Sequence, residues 1–188
     1  MDLFTALMQR RSVPSRQLGL PGPDAHQRRA ILEAAMRVPD HGKLAPWRLL
    51  TIAGDARHQL GEHLAARAQA LDPLAAPAAI DKDRRRFSFA PLIVAVIATP
   101  VEGHKVPVIE QLMSGGAVCF ALLQAAQGLG FGAQWLTGWA AYDREILEAL
   151  GLAPHEQLLG YIHIGTAQGE VPERLRPTLE AKLTEWTP

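Results

Sequence analysis

Apolar and polar positions along this chain follow first a helical and then a strand period, and the two alternate to the C-terminus. Leu3, Leu7 and Met8 fall on one face of a first helix that Asp2 can cap and Arg10-Arg11 close. After the link Leu20-Pro21-Gly22-Pro23, Asp24 and Gln27 have the spacing of a reciprocal N-terminal cap. The helix they open runs through Ile31, Leu32, Ala35 and Met36 until Pro39 stops it. Leu49 to Ala53 is a short strand candidate, and Asp55 caps a helix through His58 to Leu71. The Ala/Pro-rich segment from Asp72 to Ala79 reads as a loop between helices.

Leu92 to Ala98 is a continuous β-favouring run, the pattern of a strand buried on both faces. Val108 to Gln127 reads as a long helix with Gly115-Gly116 in its interior, where each glycine costs roughly 1 kcal/mol. Packing against another backbone is favoured over a ligand's approach as the reason for bearing that cost. Gly128 and Gly130 end this helix. Phe131 to Leu136 reads as a strand, Asp143 to Leu150 as a short helix, Leu159 to Gly165 as a last strand, and Thr178 to Trp186 as a closing helix. Strands separated by helices predict one mixed α and β domain over residues 1–188.

Composition narrows the function classes. Hydrophobic residues make up 48% and charged residues 20%, ordinary for a globular chain. Zero net charge argues against nucleic acid and anionic membranes as partners. Arg84-Arg85-Arg86 is a local basic cluster, but Asp81 and Asp83 beside it favour a solvated helix face. The single cysteine, Cys119, excludes an intramolecular disulfide, and its apolar neighbours make it a packing residue. The N-terminus does not read as a signal peptide, and the apolar run from Ala90 to Val101 is too short to span a bilayer. A soluble, cytoplasmic protein is the expectation.

Familiar catalytic motifs are absent: there is no Gly-x-Ser-x-Gly elbow, phosphate loop or dinucleotide fingerprint. Seven histidines are scattered, and His58 and His63 miss the same-face spacing of a helical zinc pair. His163, in a strand, is expected to be a hydrogen-bonded structural residue, and no metal site is expected. What remains is three basic features. Arg10-Arg11-Ser12 offers fork donors and a hydroxyl at a helix end; Arg37 precedes Pro39-Asp40-His41 at a second; Arg174 and Arg176 form a third near the C-terminus. Each alone is more often a surface feature than a site.

Taken together and in order, these pieces resemble the FMN-dependent nitroreductase family, and within it the compact, YdjA-like branch. The resemblance rests on Arg10-Arg11-Ser12, on Met36-Arg37-Val38-Pro39-Asp40-His41 followed by Pro46-Trp47, and on His104-Lys105-Val106-Pro107 leading into Glu110-Gln111. It continues through Gly130-Phe131-Gly132 before Trp135 and ends at Tyr161-Ile162-His163-Ile164-Gly165-Thr166. It implies an α+β fold, a central and mostly antiparallel sheet flanked by helices, in an intertwined homodimer with FMN at the interface.

By that resemblance, Arg10, Arg11 and Ser12 of one subunit contact the FMN, and Arg37 and His41 come from the other. Trp135, Leu136, Thr137 and Gly138 pass the flavin ring, with a backbone N–H near Thr137 facing N5. Arg176, with Arg174, matches a C-terminal phosphate contact, and Ala125 to Gly130 is where NAD(P)H is met. No catalytic side chain is implied, since the flavin carries the chemistry. The reaction implied is hydride transfer from NAD(P)H through flavin N5 to a nitroaromatic, quinone or similar small-molecule acceptor. Lys43-Leu44-Ala45 departs from the family's Asn and Gln ahead of the Pro-Trp pair, leaving His41 to compensate. Two alternatives stay open: a flavin-dependent dehydrogenase or dehalogenase on the same fold, and a non-enzymatic flavin-binding protein.

Overall fold

The Leu92–Ala98 run forms the strand its pattern predicts, and every one of its residues is buried. The structure is a computed structural model that describes residues 2–188. Its strands are β1 (Leu18–Gly19), β2 (Trp47–Ala53), β3 (Leu92–Ala98), β4 (Gly132–Leu136) and β5 (Gln157–Ala167). Its helices are α1 (Leu3–Gln9), α2 (Ala25–Ala35), α3 (Ala56–Leu71), α4 (Pro77–Arg84), α5 (Val108–Gly128) and α6 (Arg144–Ala149). β2, β3 and β5 lie side by side, β1 and β4 both join β5, and each pairing is antiparallel.

Because side chains alternate across a strand, β3 feeds two cores. Ile93, Ala95 and Ile97 pack with Phe87, Leu60 and Leu64 of α3, Ile146 and Leu147 of α6, and Tyr161. Leu92, Val94 and Val96 pack with Ile31 and Ala35 of α2, Val118, Cys119 and Leu122 of α5, and Ile162 and Ile164. Burial pushes the Cys119 thiol up to about 12, which suits the packing role expected of it. Asp24 and Gln27 form the predicted reciprocal cap on α2. A Cβ on Gly115 would stand 2.3 Å from Leu159 Cδ1. This glycine serves close packing of α5 on the sheet, against a side chain rather than a backbone.

Several expectations fail for identifiable reasons. No helix forms over 178–186; the segment makes a turn and then runs on without regular structure. Leu179, Leu183 and Trp186 are exposed, and an isolated helix that short is marginal in water without a surface to pack on. The Ala/Pro-rich loop ends early, because Pro77 sits at the first turn of α4, where its missing N–H does no harm. Asp55 stands at the start of α3 but its side chain makes no capping bond. His163 is buried as expected, yet among the described residues neither ring nitrogen has a hydrogen-bond partner. Its ring stacks on Phe87 instead, 5.7 Å between centroids and 8° apart. Burial, with the nearby Arg86 charge, lowers its pKa to about 4, so it stays neutral at pH 7.

Arg48 on β2 ties the end of β3–β5 to the loop after α6. It donates from Nε and Nη2 to Glu156, each at 2.7 Å, and these bonds hold the carboxyl down at about 2. A depressed carboxylate contributes stability above its unfolded pKa and loses it as pH falls toward the folded value. Unfolding free energy is therefore expected to fall between about pH 4.5 and pH 2, partly through this pair. Urea titrations of Glu156→Gln should show a shallower pH dependence across that window than those of the parent.

Candidate functional site

α1 is started by Asp2, whose carboxylate accepts from the Thr5 N–H, and it delivers Arg10 to its C-terminal cap. From there Arg10 Nη1 donates to Ser12 Oγ at 3.1 Å. The C-terminal segment returns to the same place, where Arg176 Nη2 donates to the Arg10 carbonyl at 3.3 Å. Glu173 pairs with Arg11 and with Arg176, the latter at 3.4 Å. The Arg10 guanidinium is held below its ordinary pKa, first by burial and then by the like charges of Arg176, Arg174 and Arg11, with Glu173 opposing. Two guanidinium groups thus pair with one carboxylate, and Arg10 feels their charge and that of Arg174. Such a cluster is relieved by an anion, and the fork geometry suits phosphate.

Two hydrogen bonds tie the segment that follows this cluster onto β4. Val13 N–H donates to the Ala133 carbonyl at 3.0 Å, and Ser15 N–H to Gln134 Oε1 at 2.5 Å. β4 then runs into Trp135-Leu136-Thr137-Gly138. The Trp135 indole N–H donates to the Leu159 carbonyl at 3.0 Å and its ring covers Gly160, where a Cβ would come within 2.0 Å of Nε1. Its side chain is thereby anchored on β5 while one side of it stays exposed.

Leu136 faces a cavity of about 700 Å³, shared with Ser15, Arg16, Lys82, Arg85 and Arg86. Gly138 has φ +77 and ψ −178, a conformation open essentially to glycine alone, and a Cβ there would lie 2.5 Å from Arg86 Nη1. Asp83 fixes that guanidinium through bonds of 2.7 and 3.2 Å, and also accepts from the Trp139 indole at 3.1 Å. Arg86 corrects the sequence reading of its triplet. Arg84 and Arg85 do form a solvated face with Glu62 and Asp81, but Arg86 is half-buried at the cavity. The clue was the aromatic and small apolar residues Phe87 and Ala90, both buried, which carry the chain inward immediately after it.

Arg37 and His41 stand apart from this constellation. Arg37 is exposed just beyond α2, and among the described residues it forms no ion pair. His41 Nδ1 lies 2.5 Å from Glu110 Oε2 at the start of α5. No hydrogen bond among the described residues joins either of them to Arg10, Arg11 or Ser12. The outward side of α5 carries Ile109, Met113 and Phe120, all exposed, with Gly116 open between them. These fall at helical spacing, an apolar stripe left uncovered by the chain itself. α5 is long and apolar enough to cross a membrane, but its other face belongs to the core. A second cavity, about 350 Å³, brings Gln127 and Gly130 beside Arg11. Among the described residues no cluster of His, Cys, Asp or Glu could hold a metal ion.

Comparison with known proteins gives this arrangement its context. The model of the Nitroreductase family matches residues 7–166. The Escherichia coli K12 protein named "Putative NAD(P)H nitroreductase YdjA" is 37% identical over 168 residues, spanning 89% of this chain and 90% of that protein. A nitroreductase-like family protein from Bacillus cereus superposes with a TM-score of 0.82 at 20% identity, covering 98% of this chain and 95% of its own. A Desulfovibrio desulfuricans protein solved in complex with FMN superposes at 0.75 with 25% identity, covering 100% and 99%. With a family match over most of its length and an α+β fold shared with solved relatives, the chain belongs to the Nitroreductase family.

Proposed function

We propose that this protein is an FMN-dependent NAD(P)H oxidoreductase that reduces a nitroaromatic, a quinone or a similar small acceptor. The observation that carries the reading is the convergence of Arg10, Ser12 and Arg176 from opposite ends of the chain, on the segment that leads directly to β4. The residues fit the cofactor by chemistry: a cationic cluster for its phosphate and, further along the same segment at Ser15, a cavity lined by Leu136 and Arg86, the latter a guanidinium fixed against Gly138. The cavity's size falls in the range of cofactor pockets. The FMN complex of the Desulfovibrio desulfuricans relative and the name of the Escherichia coli relative support the same assignment.

When bound, FMN supplies the redox chemistry, taking a hydride from NAD(P)H and giving it to the acceptor. The chain's own residues bind and orient. Arg10, Arg11, Ser12 and Arg176 hold the phosphate. The backbone of Trp135, Leu136 and Thr137 would line the ring, with an N–H near Thr137 as a donor to it, and Gly138 leaves room for Arg86. The Arg86 guanidinium, kept in place by Asp83, would supply a positive charge to a ring held in that cavity. Arg37 and His41 complete the site of a second copy, and the uncovered stripe Ile109, Met113 and Phe120 supplies an apolar surface for that homodimer. The test is anaerobic mixing of the flavin-loaded protein with NADH and with NADPH. Bleaching of the flavin band, reversed by a nitro compound or quinone, is expected; a flavin that never bleaches would favour the sequestering alternative.

A further inference from the structure

The loop from Asp40 to Ala45 is held in a conformation that its residues do not favour. Gly42 has φ +78, and Lys43 and Ala45, neither a glycine, have φ +56 and +46. Such backbone persists where surrounding contacts over-determine it. Here they do. The Asp40 carboxylate accepts from the N–H groups of Leu44 at 3.3 Å and Ala45 at 2.8 Å, and the Asp40 carbonyl accepts from the Lys43 N–H at 3.2 Å.

The floor under the loop is equally fixed. Gln111, only 2% exposed, accepts from the Val101 N–H at 2.8 Å and donates to the carbonyls of Val101 at 3.2 Å and Val106 at 3.0 Å. Gly42 rests on that segment so closely that a Cβ would lie 3.1 Å from Val106 Cγ2. Loop and helix start are thereby set against each other, and their neighbouring residues His41 and Glu110 meet at 2.5 Å through Nδ1 and Oε2.

A carboxylate can only accept at that contact, so Nδ1 carries the proton there and the opposite ring nitrogen, Nε2, is the one left without a partner from Glu110. The His41 side chain is 64% exposed, so Nε2 is available to another molecule. We infer that Glu110 is a positioning residue: it fixes the orientation and tautomer of His41 so that Nε2 is offered to the ribityl or ring edge of the flavin in the partner subunit. This rests on the reading of His41 as a flavin contact. It also accounts for the strained loop, which spends backbone conformation to place one imidazole.

The experiment combines imidazole spectroscopy with FMN titration of the cofactor-free protein. In long-range proton–nitrogen spectra at a pH where the ring is neutral, His41 should be the Nδ1–H form in the parent and revert toward the Nε2–H form in Glu110→Ala. Glu110→Ala should weaken FMN binding by up to about tenfold, the upper size of one neutral hydrogen bond. Glu110→Gln, whose amide oxygen can still accept from Nδ1, should restore much of it. In a His41→Ala background Glu110→Ala should have no further effect. The proposal is overturned if Glu110→Ala leaves the tautomer unchanged, or weakens FMN equally with and without His41. A His41→Ala protein that keeps full FMN affinity while Glu110→Ala still shifts the tautomer overturns the flavin contact itself, and the two failures are told apart by the spectra.

Discussion

Arg10→Ala should yield a folded protein that releases FMN on dialysis. Arg10 is half-buried at the end of α1, touches Ser12, and has Arg176 bonded to its carbonyl, so it is the hub of the cationic cluster. Charge-assisted hydrogen bonds are worth about 1.5–3 kcal/mol each, which corresponds to a rise in the FMN Kd of roughly 10- to 150-fold. Stability should change little or even increase, since the like charges of Arg174 and Arg176 already press on this guanidinium in the cofactor-free protein. Fluorescence titration with FMN beside a urea melt separates the two effects. Unchanged affinity with unchanged stability would remove Arg10 from the site.

The second large effect is expected at Gly138. Alanine there meets two separate obstacles: a backbone region costing about 1–3 kcal/mol for any residue with a Cβ, and a guanidinium nitrogen 2.5 Å from where that Cβ would sit. Arg86 would have to leave Asp83 or the loop would have to open. Either movement disturbs the ring end of the cavity, so Gly138→Ala should lose both thermal stability and flavin affinity. Arg86→Met should relieve the clash but not the backbone cost. The double variant Gly138→Ala with Arg86→Met should therefore be more stable than Gly138→Ala alone, as measured by melting temperature. If the double variant melts below the single one, the contact between these residues is not the source of the effect.

The fold was legible in the sequence wherever one periodicity dominated. The apolar run of β3 and the Asp24/Gln27 cap of α2 needed no tertiary information. Over 178–186 helical spacing was present but the surface to bury it was not, and burial is what makes a short helix form. α4 was missed for the opposite reason: its alanines and Pro77 look like a linker, while Ile80 is buried, and only packing reveals that. The candidate site was legible as three basic fragments grouped by resemblance to a family; the chain brings two of them together, at Arg10 and Arg176, while Arg37 and His41 stand apart. Sequence could not show that residues 10 and 176 touch, a contact spanning nearly the whole chain. Nor could it show that Arg86 is more deeply buried than its two neighbours, since the three are identical as letters.

Comparison of FMN with riboflavin tests whether the Arg10, Ser12 and Arg176 cluster recognises the flavin's phosphate. The two ligands share the ring and ribityl chain and differ by the phosphate alone. Titrating the cofactor-free protein with each should give much tighter binding of FMN, by at least the 10-fold or more that one charged hydrogen bond is worth, and Arg10→Ala with Arg176→Ala should bring the two affinities together. Equal affinity for FMN and riboflavin in the parent protein would contradict the account.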